Sequence, residues 1–414
     1  ERIKSPVTAF YGGENTGPAL ERIGIASRKL DSPTPEALAG LAVLYYSPRS
    51  GTSPEEVDAI RAFVEKGGCL AVSFAGWIWE NYWSPGGDLL TECPVNQLLS
   101  PMGFAFTGET VDSIAKQSPD SPALGLLNAA TALDELLKLP EKATGPADDL
   151  RRKSLCRAVE RAIPWLHDRS ELIQKLRKVT PKDCGPTPDE PANLIHPLRR
   201  LAAALFHRDT RSPLASSCPV APGVEQFPGA IAGNATAISR QITADLSVAR
   251  WVGTGLYALP AKAVTIEVQS PEVPKGLRIR IGANCDIIWH KDAWLRHPEV
   301  SRTALLNSPR LTLRSPFGGL VYLEVPSGLA GQIDITVKGA VAAPRFVLGE
   351  TKPSEWRRLR EAPAPWAELE TSRVILTLPS VLVRQLDDPE SLMKKWDEIL
   401  GFYKIGRASC RERV

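Results

Sequence analysis

At 414 residues the chain is too long for one ordinary hydrophobic core, and at roughly 150 residues per domain it divides into two or three. Hydrophobic residues at 43% and charged residues at 23% are globular values that exclude a disordered chain. A net charge of +3, with 50 basic and 47 acidic residues interleaved, leaves no basic stripe for nucleic acid, and no apolar run reaches the roughly 18 residues of a membrane-spanning helix.

From the N-terminus, residues 39–47 form an apolar run ending at Pro48, suited to a buried strand. Ser53-Pro54-Glu55-Glu56 is a capping box with proline at the first helical position, and Val57, Ile60, Phe63 and Val64 follow at helical spacing until Gly67-Gly68 stops the helix. Residues 69–74 are a second strand-length apolar run. Strand, helix, strand predicts a parallel α/β sheet, placed at 1–117. Leu124, Leu127, Ala130, Leu133, Leu136 and Leu137 then mark a helical face, and further helices are expected over 155–165, 170–179 and 197–207, with Asp168 and Glu171 resembling another capping box. Proline clusters at 186–191 and 213–222 punctuate this region, read as a helical insert or linker over 118–226.

Beyond Phe227 the period becomes two. Val264, Ile266 and Val268, then Leu277, Ile279 and Ile281, then Ile333, Ile335 and Val337 alternate with polar residues, which predicts half-buried antiparallel strands. With strands at 320–325 and 374–378 they predict a β-sandwich over 227–386. Asp388 then caps a helix that has Pro389 at its start and Leu392, Trp396, Ile399 and Leu400 on one face, spanning 387–403. The fold class is therefore α/β plus all-β.

Glu1 is not an initiator methionine, and no leader-like pattern follows it. Lys404-Ile405-Gly406-Arg407-Ala408 reads as a translated sequencing adapter, so 404–414 is expected to be non-native, a frayed basic tail being the alternative. Without Cys410 six cysteines remain, none in a CxxC pair. A Cys184–Cys218 bridge across the proline-rich segment and isolated thiols both fit them.

The most specific stretch holds Trp251-Val252-Gly253-Thr254-Gly255-Leu256-Tyr257, Leu277-Arg278-Ile279-Arg280-Ile281-Gly282, Gly318-Gly319-Leu320-Val321-Tyr322, Lys338-Gly339-Ala340-Val341-Ala342-Ala343-Pro344, Leu348-Gly349-Glu350-Thr351 and Pro365-Trp366-Ala367-Glu368-Leu369-Glu370. In this order they resemble the accessory β-sandwich of the enhancin-like (M-sixty) zinc metallopeptidases and of the animal melastatin-channel-associated factors built on the same plan. Phe63-Val64-Glu65-Lys66-Gly67-Gly68, with Trp77 and Trp79, resembles the class I glutamine-amidotransferase-like domain found upstream in such proteins, here expected to be non-catalytic.

In that family an HExxH helix binds zinc through two histidines one turn apart while its glutamate activates water. None of His167, His196, His207, His290 and His297 is followed by Glu or has a His four residues later. The resemblance therefore implies a fragment of a glycoprotein-cleaving peptidase that stops before its catalytic segment, with zinc held only by the full-length protein. It assigns no catalytic, cofactor or metal residue to this chain. The alternative it implies is a non-catalytic regulator with a membrane-channel partner.

Other constellations are weaker. Cys285, Asp286, His290 and His297 crowd together without a closed zinc spacing, and a sandwich loop is the preferred reading. Ser73 and Cys69 sit on the second strand like nucleophiles, yet Ala71 and Ala75 replace the two glycines of a strained elbow and no histidine lies in this domain. Trp77, Trp79 and Trp83 near Tyr82 fit either a core or a surface that stacks on sugar rings. Asn234-Ala235-Thr236 fits a glycosylation acceptor.

Overall fold

The computed structural model describes residues 7–48, 52–84, 87–90, 92–108, 128–140, 145–182, 185–233 and 235–402. The expected adapter-like tail at 404–414, the residues Leu124 and Leu127, and Asn234 lie outside them. The chain divides into two units, Glu1–Thr180 and Pro181–Val414. The helices expected of the insert at 118–226 fall in both. No helix among the described residues is long and apolar enough to cross a membrane.

In the first unit β1 (Thr8–Gly12), α1 (Thr16–Arg22), β2 (Arg28–Lys29), α2 (Pro35–Leu38), β3 (Val43–Ser47), α3 (Pro54–Glu65) and β4 (Cys69–Val72) form a parallel sheet in the order β2-β1-β3-β4. The β3–α3–β4 pattern is the one the hydrophobic runs predict. Ser53 Oγ accepts from Glu56 N at 3.3 Å while Ser53 N donates to Glu56 Oε2 at 3.0 Å, so the capping box is complete. Val57, Ile60 and Phe63 carry the buried stripe of α3 onto Leu44 and Tyr46. Gly68 lies against the Phe63 ring, which a β-carbon there would meet at 2.3 Å. The first strand is shorter than its apolar run because Gly40, at φ +75°, turns the chain just before it.

Next come α4 (Pro94–Leu99), α5 (Ala129–Lys138), α6 (Pro146–Ala162) and α7 (Glu171–Val179). Leu133, Leu136, Leu155, Val159, Ile173 and Leu176 are all buried. The expected Asp168 cap is not formed. Ser170 is the N-cap, without a side-chain bond, and Asp168 instead accepts from Arg177 Nη2 at 2.8 Å. An ion pair with a guanidinium nearly two turns into the helix competes for the carboxylate that a cap would use.

The second unit opens with β5 (Ala192–Asn193) and α8 (Pro197–Asp209). Eight antiparallel strands follow: β6 (Ile238–Asp245), β7 (Arg250–Ala258), β8 (Val264–Val268), β9 (Arg278–Ile281), β11 (Arg302–Leu305), β12 (Arg310–Leu313), β13 (Gly319–Val325) and β14 (Gln332–Ala342), with the short β10 (Ala293–Trp294) pairing β5 instead. β14 joins the two halves, so the expected sandwich is one continuous, nearly barrel-like sheet and not two separate ones. Its first part pairs β6 and β8, and its last three residues pair β7. The register shifts between Lys338 and Ala340, where Gly339 has φ +86° and lies against the Ala263 carbonyl. The alternating residues meet in one core of Val264, Ile266, Ile279, Ile281, Leu313, Leu323, Ile335 and Val337. Their outward neighbours pair across strands, as Glu267 does with Lys338 at 2.6 Å.

The strand expected at 374–378 does not extend this sheet. β15 (Arg345–Val347), β16 (Trp366–Glu370) and β17 (Ile375–Pro379) form a separate three-stranded sheet packed on α9 (Pro353–Leu359), α10 (Ser380–Val383) and α11 (Pro389–Phe402). The physical reason is a second core of Phe346, Trp356, Leu369, Val374 and Met393, distinct from that of the sandwich. Ser391 N donates to Asp388 Oδ1 at 3.0 Å, so Asp388 caps α11 as its position before Pro389 predicts.

Candidate functional site: a buried carboxyl at the seam of the second unit

The two faces of β7 serve different cores. Val252 and Leu256 point into the sandwich, whereas Tyr257 and Trp251 join Leu320, Tyr322, Ala343, Ala364 and Trp366 in a cluster on its outer side. That outer cluster is the seam between sandwich and three-stranded sheet. Gly253 pairs with Tyr322 across the strands, and a β-carbon on Gly253 would sit 3.0 Å from Glu368 Oε2 and 3.3 Å from Arg345 Nε. Gly255, at φ +64°, leaves room for the Arg240 guanidinium, which a β-carbon would meet at 2.5 Å. Two glycines in a strand thus make a notch that polar side chains of β6 and of the neighbouring three-stranded sheet enter.

Within the notch Arg345 donates to Glu370 Oε2 through Nη2 at 2.6 Å and Nε at 3.2 Å. Arg240 Nη1 donates to the carbonyls of Thr254 and Gly255 at 3.1 and 2.9 Å. Glu368 is completely buried, and neither of its oxygens has a hydrogen-bond partner among the described residues. The Tyr322 hydroxyl lies close enough to favour the ionised carboxyl, but outside hydrogen-bond geometry. Burial pushes the Glu368 pKa up to about 7, against the pull of Arg345 and with the help of Glu370. Burial, with Glu368 beside it, also holds the Tyr322 hydroxyl far above its ordinary value.

The second unit also brings together two histidines that lie far apart in sequence. His207 Nε2 and His297 Nδ1 are 3.1 Å apart, and His297 Nε2 is 2.9 Å from the Pro222 carbonyl. The carbonyl can only accept, which assigns Nε2–H to His297 and leaves its Nδ1 to accept from His207. Phe206, Phe317 and Trp289 surround the pair. Arg200, buried under Trp294 at 3.7 Å, ties α8 to the same loop through the carbonyls of Trp289, Lys291 and Asp292.

The sequence-derived candidates separate. Of the 285–297 group, His297 is buried in the histidine pair, Asp286 pairs with Arg296, Cys285 lies beside Arg280, and His290 joins none of these contacts. Among the described residues no three His, Cys, Asp or Glu side chains converge on a point that could hold a metal, so zinc finds no donor set there. Cys218 is a free thiol among the described residues, and Cys184 lies outside them. Ser73 is exposed, just beyond β4. The tryptophans divide: Trp79 is buried and Trp83 packs on the core, whereas Trp77 and Tyr82 are exposed and meet edge to face at 6.1 Å. Sequence reasoning missed the Glu368 notch and the histidine pair. Glycines at alternate positions of a strand were the available sign of the first, and nothing local signalled the second.

An antiparallel sandwich sealed along one face to a small mixed sheet with a following helix is the architecture of the second unit. Two family models match it: the N-terminal domain of M60-like peptidases over residues 233–338, and peptidase M60, enhancin and enhancin-like, over 339–406. Residues 233–406 thus carry the two domains of the enhancin-like M60 family.

TRPM8 channel-associated factor 1 of Bos taurus is 28% identical over 386 residues, covering 88% of this chain and 40% of that protein. The TRPM8 channel-associated factor homologue of Danio rerio is 28% identical, covering 84% and 39%. The chain thus spans about 40% of the length of the curated relatives it matches. Among solved structures, the IMPa metallopeptidase from Pseudomonas aeruginosa aligns over 97% of this chain and 50% of its own, at 12% identity and a TM-score of 0.44.

Proposed function

We propose that this chain is the scaffold of a zinc-dependent peptidase of glycoproteins, the zinc-binding HExxH helix lying in sequence that follows α11 in the complete protein. The observation that carries the reading is the match of the enhancin-like peptidase model to residues 339–406, over the three-stranded sheet and α11 that the seam holds to the sandwich. On this reading the first unit is a catalytically silent amidotransferase-like module, and its exposed Trp77 and Tyr82 offer a surface for sugar rings. The names of the similar proteins favour a second reading, a non-catalytic partner of a membrane channel. The gene downstream of Trp396 separates the two. An HExxH with a further acidic ligand supports the peptidase, and replacement of its first histidine or its glutamate removes it.

A further inference from the structure

The Pro365-to-Glu370 motif has a physical task that peptidase chemistry does not absorb. Glu368 stands on the middle strand of the three-stranded sheet, with its carboxyl against the backbone of Gly253 on the sandwich. Every cation near it is already engaged. Arg345, from β15, spends Nε and Nη2 on Glu370, and Arg240, from β6, is held by two carbonyls of β7. From β13 it is faced by the Tyr322 hydroxyl, and from its own strand by Glu370. Arg280, which acts on Tyr322, donates to the Asn284 carbonyl and to Ser301, and pairs with Glu324. An ionised carboxylate enclosed in this way has no cation free to pair with it, and its burial is costly.

We propose that the seam is a proton-operated lock, closed while Glu368 carries a proton and loosened when that proton is lost to solvent. The ionised carboxylate must either draw Arg345 away from Glu370 or admit water into the notch. Both outcomes separate β16 from β7 and β13. Because β16 continues through β17 to α10 and α11, the lock sets how firmly the peptidase-type module is held against its accessory sandwich. A carboxyl with its pKa raised to about 7 makes the transition fall near neutrality.

The sign follows from linkage. The folded pKa lies above the ordinary 4.5, so the stabilisation is full below 4.5 and is lost as pH rises through about 7. Between about pH 6 and about pH 8 the opening equilibrium of the seam then rises about tenfold.

Amide hydrogen exchange on the full chain, corrected for intrinsic rates, reads this directly. Protection of β15 and β16 is expected to fall about tenfold over that range while β8 and β12 hold, and the fall should vanish in Glu368→Gln. Glu370→Gln, which frees Arg345 to pair with Glu368, should move the loss of protection to lower pH. Unchanged protection in the wild type, or the same fall in Glu368→Gln, overturns the proposal. If Glu368→Gln does not fold, infrared spectroscopy of the wild type decides. A protonated carboxyl band that titrates near neutrality is expected, and its absence at about pH 6 overturns the lock.

Discussion

Acidification tests the buried histidine pair. His207 and His297 hydrogen-bond in series to the Pro222 carbonyl, tying α8 to the loops before and within the sandwich. Aromatic rings enclose them, and the charge that acts on them is that of Arg302, which donates to the Thr210 carbonyl at 3.3 Å. Burial holds His207 well below its ordinary value, with His297 and Arg302 adding to it. Burial lowers His297 to about 4, the Pro222 carbonyl opposing and Arg302 assisting. A depressed histidine pKa contributes stability that is present above 6.5 and is lost as pH falls through about 4. From 6.5 to about 4 at roughly 1.4 kcal/mol per unit, His297 accounts for about 3 kcal/mol, most of which is gone by about pH 4.5. Glu368 acts with the opposite sign between 4.5 and about 7, so the raw pH profile of the wild type mixes the two. The difference between wild type and His297→Phe cancels the Glu368 contribution, which both share, and leaves that of the histidine pair. That variant is expected to be less stable at pH about 7, because the Pro222 carbonyl loses its donor, and its disadvantage should shrink by roughly 2–3 kcal/mol at pH about 4.5. Urea denaturation at both values measures it. A disadvantage that does not change with pH would refute the neutral, uncompensated histidine.

Two further outcomes are expected. Gly255→Ala should destabilise the second unit by at least about 1–2 kcal/mol, since it strains a positive φ and also displaces Arg240; Gly331→Ala, with φ +83° and open space, should lose only the strain, and thermal denaturation compares them. Peptide mapping after alkylation of the folded protein should find Cys69 and Cys285 modified, and Cys93 and Cys156 modified only after unfolding.

Local rules made most elements legible. Ser53, Pro54 and Glu56 fixed the start of α3 and Asp388 with Pro389 that of α11, because a cap satisfies its own backbone within one turn. The two-residue alternation of 264–268 and 333–337 foretold which faces are buried. Periodicity does not say which sheet a strand joins, so 374–378 reads as a sandwich strand although the strand found at 375–379 pairs with β16 and packs on the core of Trp356. The notch was half legible: Gly253 and Gly255 signal a close approach, but only the fold shows that Arg240, Arg345 and Glu368 fill it. His207 and His297, 90 positions apart, meet through the packing of α8, which no local pattern encodes.

Cleavage of an O-glycosylated peptide by the longer protein, residues 1–403 extended through the sequence that follows in its gene, bears on the peptidase reading itself. Hydrolysis that a zinc chelator abolishes and added zinc restores is the expected result. A folded, zinc-supplemented protein that leaves the glycopeptide intact and instead co-purifies with a channel of the TRPM8 type would contradict it.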